Sequence, residues 1–313
     1  MRRWVTARRM EAPASIRLRT AAKWAVGLAG LVATLALTGC GSNPAGVDGD
    51  ISDDWRPMSE PKPFVPDNEV CHSSAVESGY LAAYAPVDCA TTHVTETVHV
   101  GAFDAAGGKS PAPGEKSYQT AYAECGAKAS TFLGGDWRTA RLNLGLVLPA
   151  PEAWQGGSRW YRCDLAETRS LDDNSMASRD GSLKGALTKT SALRYSCFTP
   201  KIAKELVQEM APIACTKSHR SEFVGIYAAP DRSYKTFLAD DETIHKACLD
   251  LVASYAKLPK DDNLGARTGT IYYYPTTAEW DQGNRGVKCF SWDSGRTFTR
   301  SIKGGGTSLL PVN

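Results

Sequence analysis

Five histidines in 313 residues leave little material for histidine-based chemistry, and the motifs that would organise it are missing. There is no HExxH helix for a zinc protease and no GxSxG elbow for a serine hydrolase. The cysteines never fall as CxxC, which excludes a thioredoxin-type centre and zinc-knuckle spacing. Ser254–Lys257 spells SxxK, but no SDN or KTG segment accompanies it, so it reads as chance. The apolar run near the start, Trp24 to Leu37, has 14 residues and falls short of the roughly 20 that span a bilayer as a helix.

Basic excess is missing too. The 36 basic and 34 acidic residues give +2 overall, but seven bases and one acid lie in residues 1–40, so the remainder carries −4. Nucleic-acid binders show a basic face, and this balance argues against one.

What is present begins with an address. A basic stretch, the apolar run and then Leu37-Thr38-Gly39-Cys40 read as an export signal over residues 1–40. Its end resembles the bacterial lipobox, in which the cysteine is acylated and becomes the first mature residue. Cys40 is therefore the expected lipidation site, and the protein is expected on the outer face of the cell membrane. Acyl chains contribute about 0.8 kcal/mol per buried methylene, enough for lasting attachment when two or three are present. Residues 41–67 hold five prolines, many acids and no apolar period, the composition of a flexible tether.

The other eight cysteines form two sets. Cys71, Cys89, Cys125 and Cys163 are spaced 18, 36 and 38; Cys197, Cys215, Cys248 and Cys289 are spaced 18, 33 and 41; each set spans 92 residues. More residues fall in register. His93 and His219 stand four after the second cysteine, and Glu96 and Glu222 seven after. Trp154 and Trp280 each lie nine before the fourth cysteine and are followed at +5 by Arg159 and Arg285. "SLKG" at Ser182–Gly185 echoes "SIKG" at Ser301–Gly304. This is an internal duplication, giving two homologous domains at 68–188 and 189–313.

An even cysteine count in an exported chain reads as disulfides. Four cysteines allow three pairings per copy. The arrangement of Cys71 with Cys89, Cys125 with Cys163, Cys197 with Cys215 and Cys248 with Cys289 is favoured because its loops are modest and do not cross.

Within each copy, "THVTETVHVGA" and "SEFVGIYAA" alternate as strands. A helix carries the third cysteine, with Tyr118, Ala121, Tyr122, Cys125 and Ala129 on one face and Ile244, Ala247, Cys248, Leu251 and Tyr255 in the second copy. Two further strands follow, around "RLNLGLVLP" and "SRWYRCDLAE", then "RTGTIYYYP" and "NRGVKCFSW". Each copy is predicted as a small antiparallel sheet with one packed helix and two disulfides, the α+β class. The polar stretch "ETRSLDDNSMASRDG" between copies reads as a loop or linker.

The Cys/His/Glu group before a Val-rich strand, the Cys-bearing helix and the pattern Pro-x4-Trp-x2-Gly-x-Arg-x3-Cys together resemble the septum formation family of actinobacterial envelope proteins, in two tandem copies. The resemblance implies a part in septation or cell-wall growth, without an assigned reaction. Expected partners are the membrane, through the lipid anchor, and an envelope or division protein or wall polymer; no cofactor and no nucleic acid are expected. A non-catalytic binding or structural role leads, with a wall-active hydrolase using the His/Glu pair as the alternative.

The repeated trio itself invites three readings. As a metal site it is short of ligands, since an oxidised cysteine offers no thiolate and no third residue repeats in both copies. As a structural corner, the histidine would bond a backbone carbonyl in the turn and the glutamate would accept from a basic side chain, Arg159 or Arg285. As a contact patch, His93, Glu96, Trp154 and Arg159, with His219, Glu222, Trp280 and Arg285, would face a partner.

Overall fold

Along the stretch Trp160–Thr168 successive residues point to opposite sides. Tyr161, Cys163 and Leu165 enter the core beneath a helix, while Trp160, Arg162 and Asp164 face the other way. The computed structural model describes residues 62–312 apart from 77, 105–107 and 205. The leader with Cys40, and residues 41–61 of the tether, lie outside the described residues. Among the described residues no helix is long and apolar enough to cross a membrane.

Copy one contains β1 (Val70–His72), β2 (Ser78–Gly79), β3 (Pro86–Val87), β4 (Thr95–Ala102), α1 (Lys116–Leu133), β5 (Leu142–Pro149), α2 (Pro151–Gln155), β6 (Trp160–Thr168) and β7 (Met176–Ala177). Copy two contains β8 (Cys197–Ala203), β9 (Leu206–Ile213), β10 (Ser221–Ala228), α3 (Tyr234–Ala239), α4 (Asp241–Ala256), α5 (Leu264–Arg267), β11 (Gly269–Tyr273), α6 (Thr277–Gln282), β12 (Gly286–Trp292) and α7 (Gly306–Leu309). The first sheet runs β2-β5-β6-β4-β1-β3, with β7 also on β6, and the second runs β11-β12-β10-β8-β9. Without β2 and β7 the two orders correspond strand for strand. Even the bulge recurs, between Thr97 and His99 on β4 and between Phe223 and Gly225 on β10.

The fold is thus α+β, with two sheets and four disulfides. The predicted strands and the two long helices form where alternation and helical spacing put them. One pair departs from the all-antiparallel expectation: β2 lies parallel to β5. Short helices also flank the long ones.

Helix α1 buries Tyr118, Ala121, Tyr122, Cys125, Ala129 and Leu133 against Leu144, Leu146, Cys163 and Leu165. Helix α4 buries Ile244 and Cys248 against Tyr272, Val287 and Cys289. In both, the third cysteine points from the helix to the sheet and is bonded there, Cys125 to β6 and Cys248 to β12. The bridges are Cys71–Cys89, Cys125–Cys163, Cys197–Cys215 and Cys248–Cys289, with Cα atoms 5.1 to 5.3 Å apart.

The stretch between the copies is not a free linker. Asp172 accepts from Tyr273 Oη at 2.5 Å and from the Met210 N–H at 2.7 Å, and Leu171 joins an apolar cluster of copy two. Leu193, beyond the expected boundary, instead packs in the core of copy one, where its carbonyl accepts from the Arg141 N–H. Its polar composition reads as a loop or linker, but Asp172 and Leu171 give it tertiary partners.

Candidate functional site

His93 and His219 occupy the same turn. Each donates through Nδ1 at 2.8 Å to the carbonyl two residues earlier, Thr91 and Lys217. Each also makes a two-way backbone bridge to a distant segment, His93 with Arg179 and His219 with Phe298. The imidazole thereby pins the turn that starts β4 or β10, and both rings are at most 1% exposed.

The glutamates are buried beside them, Glu96 at 2% and Glu222 at 1%. A buried carboxylate requires donors, and these come from the repeated tetrapeptide. Ser182 Oγ donates to Glu96 at 2.5 Å and the Leu183 N–H at 2.6 Å; Ser301 Oγ donates to Glu222 at 2.6 Å and the Ile302 N–H at 2.7 Å. The next two residues complete the clamp. Lys184 lies 5.8 Å over the Phe132 ring and Lys303 5.8 Å over Tyr255, both at helix ends. Gly185 and Gly304 turn back with φ of 65° and 68°, a left-handed conformation that favours glycine, and donate to the carbonyls of Phe132 and Tyr255. SxKG therefore ties the Glu-bearing strand to the C-terminal end of the long helix.

This corrects the expected glutamate partner. Arg159 and Arg285 serve a different corner, where each guanidinium lies over a tryptophan and donates to that residue's own carbonyl. Arg159 sits 4.4 Å from the Trp154 ring and Arg285 4.1 Å from Trp280. Trp154 Nε1 donates to Gly108 and Trp280 Nε1 to Arg232. Both indoles are buried, as packing side chains are. The tetrapeptide was visible as an echo in the sequence, but nothing there aimed it at the glutamate.

The two corners differ at the second nitrogen of the histidine. His219 Nε2 stands 3.0 Å from Glu222 Oε1, and Tyr255 Oη donates to Oε2 of the same carboxylate at 3.0 Å. With Nδ1 already donating, the first contact requires one further proton on the pair, on the imidazole or on the carboxyl. In copy one Tyr255 is replaced by Phe132, and His93 Nε2 has no hydrogen-bond partner.

Ligand atoms of Cys71, His93 and Glu96 lie within 4.8 Å of one another, as do those of Cys197, His219 and Glu222. A metal would have two ligands in each group, because both sulfurs are in disulfides and are not thiolates. The donor set does not fit a structural zinc site.

A family model described as septum formation matches residues 69–289 of the chain. No curated protein matches it, and no solved structure matches it.

Proposed function

The chain belongs to the septum formation family, and from that premise we propose that it is a lipid-anchored protein of the outer face of the cell membrane, attached through Cys40. Its septum formation domain suggests a role linked to septum formation. Its two copies bind an envelope or division partner or wall polymer and do not catalyse a reaction. One observation carries the non-catalytic reading: every repeated His, Glu and Trp is buried and engaged in holding a turn or a helix end. A hydrolytic acid–base pair has to reach its substrate, and these pairs are sealed.

Fractionation tests the anchor: Cys40→Ser is expected to leave the membrane fraction for the medium or wall fraction. In-cell cross-linking at the septum identifies the partner. Cleavage of wall polymer by the purified protein, abolished in His93→Ala or His219→Ala at unchanged melting temperature, would replace the binding role with an enzymatic one.

A further inference from the structure

The side of the first sheet turned away from α1 carries a buried polar row. Arg162 Nη2 lies 2.7 Å from Asp164 Oδ2, though not in hydrogen-bonding alignment. His72 Nε2 donates to Thr97 Oγ1 at 3.1 Å, which donates on to Asp164 Oδ1 at 2.8 Å. Burial, and then the neighbouring Arg162, push the His72 pKa down, so the row holds one cation and one anion.

The duplication supplies an internal control. Counted from the matching cysteines, the positions of His72, Thr97 and Asp164 hold Phe198, Phe223 and Phe290 in copy two. There the rings of Phe198 and Phe223 each lie 5.4 Å from Phe290 in an aromatic cluster. The same strand order therefore forms on an apolar face. Burying an ion pair costs desolvation that copy two avoids, so the fold does not explain the row.

Beside the row a small recess opens, with about 10 Å³ of enclosed room, lined among others by Phe64, Gly79, Tyr80, Tyr84, Trp160 and Arg162. Two of its lining residues carry a buried donor without a hydrogen-bond partner, Arg162 Nε and Trp160 Nε1. Gly79 lets the indole pack directly against the backbone, since a Cβ there would lie 2.1 Å from Trp160 Cη2. At the mouth Tyr80 is 51% exposed and its neighbour Leu81 64%. That is room for about one water-sized group, far below sites that enclose whole ligands, so only the terminal oxygen of a larger molecule enters it.

We propose that this recess of copy one binds a carboxylate at the end of a peptide or acyl chain, met by the Arg162 guanidinium and the Trp160 indole N–H, with the chain running over Tyr80. Guanidinium and carboxylate form charge-assisted bonds that a carbonyl oxygen matches less well. Copy two, with Lys288 and the phenylalanines, does not share the site. The proposal is independent of the role of the His/Glu corners.

The full chain in detergent, ¹⁵N-labelled, is titrated with acetyl-Ala-Ala and separately with its C-terminal amide. The Trp160 indole resonance, assigned with Trp160→Phe, and calorimetry are followed. The acid is expected to bind saturably and shift that resonance, and the amide to bind at least about tenfold more weakly, the factor expected for loss of one charge-assisted bond. Arg162→Gln is expected to lose a similar factor. Because that variant strands Asp164 and can misfold, Tyr80→Ala at the open mouth is the second variant, expected to bind several-fold more weakly at unchanged melting temperature. Absence of acid binding, equal affinity for acid and amide, or unchanged affinity in a folded Arg162→Gln or in Tyr80→Ala would overturn the proposal.

Discussion

The N–H of Ile302 donates to Glu222 Oε1 at 2.7 Å across 80 residues of sequence. Leu183 repeats the bond to Glu96 across 87 residues, so each copy is closed by a contact between its early strand and its last segment. Closing so long a loop costs conformational entropy, and a buried carboxylate with several donors offsets part of it.

Removing that carboxylate strands its donors. Glu222→Ala leaves the Ile302 N–H and two hydroxyls without their acceptor, and a loss of about 3 kcal/mol is expected in urea unfolding at constant m-value. A loss under about 1 kcal/mol would mean that the SxKG segment is held by other contacts.

The two histidines should not be equivalent. His219 bonds through both ring nitrogens and His93 through one. His219→Ala is therefore expected to cost about 1 to 2 kcal/mol more than His93→Ala in the same assay. Equal losses would remove the contribution assigned to the His219–Glu222 contact.

Acid sensitivity has a definite source in copy two. His245 is buried on α4 beside Thr270 Oγ1, and burial lowers its pKa to about 4. Its folded value thus lies below the unfolded value of about 6.5. The neutral ring's contribution is full above pH 6.5, falls as the pH drops towards 4, and amounts to at most about 3 kcal/mol. His72 shifts in the same direction and adds to the slope. Urea midpoints at pH 7 and pH 4.5 are expected to differ less in His245→Gln; an unchanged difference would put the acid response elsewhere.

The tryptophans test packing against recognition. Trp154→Ala and Trp280→Ala are each expected to cost about 3 to 5 kcal/mol, as for other buried large side chains. Unchanged melting with loss of glycan binding would instead make them a sugar platform.

Peptide mapping without reduction is expected to give the same two bridges in each copy. By loop entropy, each contributes about 3 to 4 kcal/mol for closures of 18 to 41 residues. A free thiol among these eight, or a bridge between copies, would break the modular arrangement.

Much of the fold was legible because duplication makes a sequence its own comparison. The matched cysteine frames, the Cys-bearing helix face and the alternation in "THVTETVHVGA" and "SEFVGIYAA" locate strands, helix and core without distant information. The histidine bond to its turn was legible for the same reason, since it spans two residues. The glutamate partner was not. Charge alone points to Arg159 and Arg285, whereas the structure supplies a serine hydroxyl and a backbone N–H in each copy, which carry no charge to advertise them.

The sequence by itself determined the α+β elements and the repeated cysteine frame with its disulfides, because these rest on periodicity and spacing along one dimension. Tertiary structure alone decided which donors surround Glu96 and Glu222, and that the back of one sheet is aromatic while its twin holds Arg162 and Asp164 beside a recess. Hydrogen bonds and burial depend on direction and on neighbours far along the chain, and a list of residues contains neither until the strands are paired.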